Sequence, residues 1–380
     1  MVPFEFYPRT RAIFGPGCVE RVGAAARELR FQRVLLVADR GLVDAGHVAR
    51  VRRLLEAASL EVFPFHDFGE NPDTAMVETG RACAEPHEVD AIVALGGGSS
   101  LDAAKGINFL LTNGRTMADY RGYGHAENPL LPMIGIPTTA GTGSDAQSYA
   151  VISDAETHMK MACGDPTAAF RIVLLDPELT VTAPRHVTAL SGVDAIAHAV
   201  ETAVTTKRTP LSDMYSHQAW RLLSEAFERV LLHPTDIEAR AAMLIGAHFA
   251  GVAIEQSMLG AAHACANPLT AKYNITHGLA LAMLLPTVVR WNGSVARDRY
   301  SALMRSPRRR ARDEDAAEFL ARRLEDLTGA GGLALRLRDA GVKESVLPEL
   351  AAQAAQQWTG SFNPRRLDAA GALEIYRAAF

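Results

Sequence analysis

The chain has 380 residues, 48% of them hydrophobic and 22% charged, with 39 Lys and Arg against 43 Asp and Glu. It is too apolar for a disordered chain and long enough for two domains, and a net charge of -4 excludes the positive field of a nucleic-acid coat. Four scattered cysteines (Cys18, Cys83, Cys163 and Cys265) form no CxxC pair, so reduced thiols in a cytoplasmic protein are expected.

The opening MVPFEFYPRT has no basic segment followed by an apolar one, and no uninterrupted apolar run has the length of a bilayer-spanning helix. Neither secretion nor a membrane partner is therefore expected. The segment Phe4–Phe14 is apolar enough for a strand that pairs with a second copy of the chain, or equally for an ordinary edge strand. Further strands are predicted at Arg33–Ala38, Leu60–Phe63, Val89–Leu95, Pro132–Ile136 and Arg171–Leu175. Helical patterns lie between them, over Gly41–Ala58 and after Pro72, where Asn71 is placed to cap. Near-continuous apolar strands alternating with helices predict a mostly parallel sheet covered on both faces.

Two glycine-rich turns follow predicted strands. Gly96-Gly97-Gly98-Ser99-Ser100 joins a strand to a helix, where close backbone approach and free N–H groups suit a phosphate. A tight turn would use the same residues. Thr138-Thr139-Ala140-Gly141-Thr142-Gly143-Ser144-Asp145 is dense in hydroxyls. Together the turns suggest one extended anionic ligand, such as a dinucleotide. Asp39, ending the first of these apolar strands, suits a ribose diol and would repel a 2′-phosphate, or else caps the next helix.

Beyond Leu179–Pro184 the pattern becomes helical, over His186–Thr206, Pro210–Val230, Ile237–Ala253, Ala316–Leu327, Leu333–Ala340 and Glu344–Gln357. Prolines 184, 210, 234, 268 and 286 and the run Gly329-Ala330-Gly331-Gly332 read as breaks. The expected division is an α/β domain over 1–181 and an all-helical domain over 182–380. Arg305–Asp315 is the one dense charge run and reads as solvated. In the helical half, Asp194 and His198 share a helix face lined by small and apolar residues. A divalent cation would satisfy both, as would an Asp–His hydrogen bond in the core. His263, flanked by Ala and Gly, and His277 lie on either side of Pro268, and with the first pair they make a candidate His₃Asp site for Fe²⁺ or Zn²⁺. Cys265, two residues from His263, points away from its helix face.

GGGSSLDAAKG, TTAGTGSD, the Asp194/His198 pair and the stretch from His263 to His277, in this order across the chain, resemble the iron-containing (group III) alcohol dehydrogenases. The resemblance implies a dehydroquinate synthase-like fold: an N-terminal α/β dinucleotide-binding domain, a C-terminal helical metal-binding domain, and an active site in the cleft between them. It implies metal ligation by Asp194, His198, His263 and His277, with Fe²⁺ preferred and Zn²⁺ second. It implies NAD contacts from Asp39, Asn71, Gly97, Gly98, Ser99, Thr138, Thr139, Thr142 and Lys160, with Leu179 beside the cofactor. The substrate pocket maps to Gln147, Tyr149, Ile254 and Leu259. No catalytic side chain beyond the metal ligands is implied.

Two departures stand out. Asn267 occupies a position where many relatives carry histidine; with Tyr149 it is a candidate for a proton relay or a pocket wall, or an N-cap for a helix restarting at Pro268. Asp145 stands where relatives often have glutamate. The implied activity is NAD-dependent interconversion of a short-chain primary alcohol or diol with its aldehyde, in a homodimer or larger homo-oligomer. A zinc-dependent, glycerol-dehydrogenase-like polyol oxidoreductase is the alternative. A dehydroquinate-synthase-like cyclase and a non-catalytic dinucleotide sensor stand further off.

Overall fold

A computed structural model describes residues 4–304 and 316–380; the charge run Arg305–Asp315 lies outside the described residues. The chain divides into two compact units, Glu5–Ala183 and Pro184–Phe380.

In the first unit the strands are β1 (Arg11–Phe14), β2 (Arg33–Ala38), β3 (Glu61–Phe65), β4 (Ala91–Gly96), β5 (Gly122–Tyr123), β6 (Met133–Pro137), β7 (Tyr149–Ser153), β8 (Lys160–Gly164) and β9 (Ile172–Leu175). Six of them form one sheet in the order β1-β9-β6-β4-β2-β3, with every pairing parallel. The central strands β2, β4, β6 and β9 are buried throughout or nearly so, which is why they read as unbroken apolar runs. The crossovers are α1 (Val22–Glu28), α2 (Arg40–Asp44), α3 (His47–Ala57), α4 (Thr74–Ala84) and α5 (Gly98–Asn113).

The helix expected over Gly41–Ala58 is two helices, because the chain turns at Gly46, which sits at φ 80°. Asn71 does not cap α4. Asp73 does, accepting from Met76 N, while Asn71 takes φ 50° in the preceding loop. The small sheet β5-β8-β7 was not foreseen, since its strands mix polar and apolar residues without strict alternation.

The second unit is helical: α6 (Arg185–Thr202), α7 (Pro210–Leu232), α8 (Ile237–Ser257), α9 (Ala261–Tyr273), α10 (His277–Leu303), α11 (Ala316–Gly331), α12 (Leu347–Ala354) and α13 (Ala369–Ala379). Pro268 and Pro286 do not break the chain; they lie inside α9 and α10. Asn267 is consequently mid-helix and caps nothing. The break falls instead at Asn274, in the left-handed conformation. Leu333–Ala340 is helical only as a short 3₁₀ turn, Leu337–Ala340. Within Glu344–Gln357, a 3₁₀ turn precedes α12, whose first turn accommodates Pro348. Contrary to the sequence expectation, α8 and α10 are each long and apolar enough, by length and composition, to cross a membrane. Most of each is buried among neighbouring helices, as in a core helix.

Candidate active site

Two groups of side chains come together, one in each unit. The first lies at the carboxyl edge of the parallel sheet. The chain runs from β2 outward to β3, then crosses back to β4 on the other side of β2. The crevice between β2 and β4 is thus a topological switch point, where open α/β sheets bind ligands. Asp39 leaves β2 on one side of it and Gly97 leaves β4 on the other.

Asp39 makes both of its available local bonds. It caps α2 by accepting from Leu42 N at 3.3 Å, and its other oxygen accepts from Ser100 Oγ at 3.2 Å. Gly97 is the N-cap of α5 and supplies no side-chain cap, so the first N–H groups of that helix face the crevice. In the adjacent strand pairing Gly96 faces Pro137, and this brings the second turn alongside the first. The approach is close: a Cβ on Gly98 would stand 2.4 Å from Thr142 Cγ2, so no larger residue fits. Thr138 is buried, Thr139 borders Gly97, and Asn71 N donates to Ser99 Oγ at 3.2 Å. Asp39, Asn71, Gly97, Gly98, Ser99, Thr138, Thr139 and Thr142 therefore share one edge. An uncapped helix start, a glycine backbone and hydroxyl donors fit a pyrophosphate, and the Asp39 carboxylate fits a ribose.

Leu179 is fully buried in the core beneath this edge, and Lys160 opens β8; burial raises the nearby Asp102 carboxyl, against the opposing charges of Lys105 and, less, Lys160. One residue that the sequence did not single out holds the second turn in shape. Lys105, fully buried on α5, shares its three N–H groups among Ser144 O (2.7 Å), Ser144 Oγ (3.0 Å), Gln147 O (2.8 Å) and Tyr149 O (2.8 Å). Ser144 Oγ in turn donates to Asp102 at 2.6 Å. Gln147 donates to Thr142 O at 3.0 Å, and the Tyr149 ring lies against Tyr123. Asp145 is buried beside them.

The second group belongs to the helical unit. Asp194 and His198 project from one face of α6, His263 from the first turn of α9, and His277 is the first residue of α10. The three Nε2 atoms converge on a single oxygen. From Asp194 Oδ1 they lie 3.3 Å (His198), 3.6 Å (His263) and 3.9 Å (His277) away. Ligands at roughly 2.0–2.2 Å from a tetrahedral ion stand roughly 3.3–3.6 Å apart, so this spacing suits one shared cation. The ligand atoms of Asp194, His263 and His277 all lie within 4.8 Å of one another, and the His198 ring stacks on His263.

Asp194 Oδ1 and His263 Nε2 are both buried and make no hydrogen bond among the described residues. Such orphaned atoms are costly unless something charged satisfies them, and a divalent cation does. Burial alone would push the Asp194 carboxyl up; His198, then His263 and His277, outweigh that and hold it well below the usual carboxylate range. Burial likewise works against a charged His263 ring, yet Glu201 and Asp194 raise it to about 9.

Glu201 was missed by the sequence reading. It sits seven residues after Asp194, on the same face of α6, and is buried against His263. The remaining expected residues are placed more loosely. Ile254 is buried near the end of α8, Leu259 lies half-buried in the bend before α9, and Asn267 donates to Gln357 Oε1 at 3.0 Å.

Two family models match this chain: iron-containing alcohol dehydrogenase over residues 8–177, and the C-terminal part of the Fe-containing alcohol dehydrogenase family over residues 188–380. The alcohol dehydrogenase 4 of Schizosaccharomyces pombe is 33% identical, across 94% of this chain and 85% of that protein. The NAD-dependent methanol dehydrogenase of Bacillus methanolicus is 31% identical, across 95% and 96%. Among solved structures, a 1,3-propanediol oxidoreductase superposes with a TM-score of 0.93 at 32% identity, covering 97% of this chain and 98% of that one.

Proposed function

This chain belongs to the iron-containing alcohol dehydrogenase family, and on that premise we propose that it interconverts a short-chain primary alcohol or diol and its aldehyde, with hydride passing to or from NAD. The observation that carries the reading is the convergence of three imidazole Nε2 atoms on one buried oxygen of Asp194. Asp194, His198, His263 and His277 would hold the divalent ion, Fe²⁺ before Zn²⁺. Such an ion, when bound, acidifies an alcohol hydroxyl and polarises an aldehyde carbonyl.

The protein's own residues do the rest. One carboxylate and three neutral imidazoles leave a divalent site net positive. In the α/β unit, the start of α5 and the hydroxyls of Thr138, Thr139 and Thr142 would bind the pyrophosphate, and Asp39 would accept from the ribose hydroxyls and select NAD over NADP. Asn267 does not titrate near neutral pH and donates to Gln357, so it orients polar groups rather than moving a proton. Gln147, Tyr149, Ile254 and Leu259 remain the proposed pocket residues. We also infer a cytoplasmic homodimer or larger homo-oligomer. The free thiols support the compartment, and the exposed Phe6 and Tyr7 before edge strand β1 and Phe14 at its end support self-association.

NAD reduction by methanol, ethanol, 1-propanol, 1,3-propanediol and glycerol, measured anaerobically with Fe²⁺ or Zn²⁺, tests the reading. Short primary alcohols or diols are expected to be oxidised, and a chelator to stop it. Asp194→Ala or His263→Ala should abolish turnover while NAD binding, followed by fluorescence, stays close to normal. Chelator-insensitive turnover, or near-normal activity in either variant, overturns the assignment. A protein that prefers glycerol and keeps its metal in His198→Ala would instead favour the zinc polyol reading, whose ligands are one Asp and two His.

A further inference from the structure

Glu201 is 3% exposed and has no solvent to stabilise its charge, so what it touches defines its purpose. One oxygen, Oε1, accepts from Ala262 N at 2.7 Å. The other, Oε2, lies 2.5 Å from His263 Nδ1. The residue therefore grips α9 twice, once by its backbone and once by the ring that follows. The helix needs the first grip: its N-cap, Gly260, supplies no side chain, and the neighbouring Ala261 N is met by Asn363 Oδ1 at 3.2 Å.

The second grip has a different consequence. An imidazole that ligates an ion is neutral and keeps one ring proton; facing the Glu201 oxygen, that proton sits on Nδ1 and the lone pair is left on Nε2. Nε2 is the atom 3.6 Å from Asp194 Oδ1.

We propose that Glu201 is a positioning residue of the metal centre, fixing the tautomer and orientation of the His263 ring so that Nε2 presents its lone pair to the ion. This rests on the reading of His263 as a ligand. Outer carboxylates of this kind typically contribute 10–100-fold, or thereabouts, in metal affinity.

Glu201→Gln separates the two grips. Ala262 N can only donate, so the amide oxygen must face it and the cap survives. The amide NH₂ then faces His263 Nδ1 and forces the ring proton onto Nε2, the wrong nitrogen. Zn²⁺ and Fe²⁺ affinity, measured by chelator competition, is expected to fall roughly 10–100-fold in this variant. The melting temperature of the metal-free protein should stay within a few degrees of wild type. A purely structural role would give the opposite pattern, lower melting with unchanged affinity.

A measurement on the unaltered protein backs this up. Zn²⁺-loaded wild type should show an exchangeable imidazole proton far downfield in its NMR spectrum, absent in His263→Ala. Wild-type affinity in Glu201→Gln, or no such proton in the loaded wild type, overturns the role of Glu201. If His263→Ala itself binds metal as wild type does, the ligand reading fails first, and the role of Glu201 goes with it.

Discussion

Asp39 illustrates how one side chain with a shown local role can also carry a proposed ligand role. Its two oxygens cap α2 and anchor Ser100, yet it stands at the switch point where a ribose would arrive. Asp39→Gly should raise acceptance of NADP, read as the ratio of kcat/KM for the two coenzymes, at a stability cost of only a few tenths of a kcal/mol, or about that, for the lost cap. An unchanged ratio would remove Asp39 from coenzyme selection. Lys105 is the sterner case. Lys105→Met would strand the carbonyls of Ser144, Gln147 and Tyr149 without their donor in a buried site and remove a cation that favours the ionised form of Asp102, costing about 3–5 kcal/mol in urea unfolding. Retained stability would mean that the turn holds itself. The ligand candidates were legible in the sequence because polar groups on an apolar helix face stand out. Glu201 lies on the same face, at i+7 from Asp194, and the periodicity already contained it. Lys105 was not legible, since a lysine in a helix usually reads as solvated.

Among the elements, the buried strands were the readable ones, and β2, β4, β6 and β9 fall within two residues of their expected bounds. Proline misled. Inside a helix it removes one hydrogen bond and costs about 3 kcal/mol, so it usually marks an end. In α9 and α10 each proline sits in the most buried stretch of its helix, where packing offsets that cost, and a single sequence does not display tertiary burial. The contact between α6 and α10 is equally invisible in sequence. A Cβ on Gly278 would stand 2.2 Å from the backbone oxygen of Leu190, so α10 meets α6 main chain to main chain, one residue after His277. Gly278→Ala must push these helices apart. Metal affinity is expected to drop, with a stability loss of about 1–3 kcal/mol and a lowered melting temperature, because His277 moves relative to Asp194. Wild-type affinity in this variant would show that the His277 position tolerates the shift.

At the scale of the molecule, composition and alternation were enough to separate an α/β half from a helical half. The parallel sheet order was not, because strand order depends on crossovers that no local signal encodes. The four candidate ligands come from α6, α9 and α10, so an ion there ties three helices of one unit together. A ligand present at about a hundred times its Kd adds about 2.7 kcal/mol to stability. Stripping the metal with a chelator should therefore lower the calorimetric transition of the helical unit by about 5–10 °C, reversed on adding Zn²⁺. A melting curve indifferent to chelator would mean that the helices do not depend on the ion.

The open start of α5 has a practical corollary. With Gly97 offering no side chain to its N–H groups, that helix end will accept small oxyanions as well as a coenzyme. Titrations of NAD in phosphate or sulfate buffer should report weaker apparent affinity than titrations in Tris chloride at equal ionic strength, and the choice of buffer becomes a variable in any measured Michaelis constant.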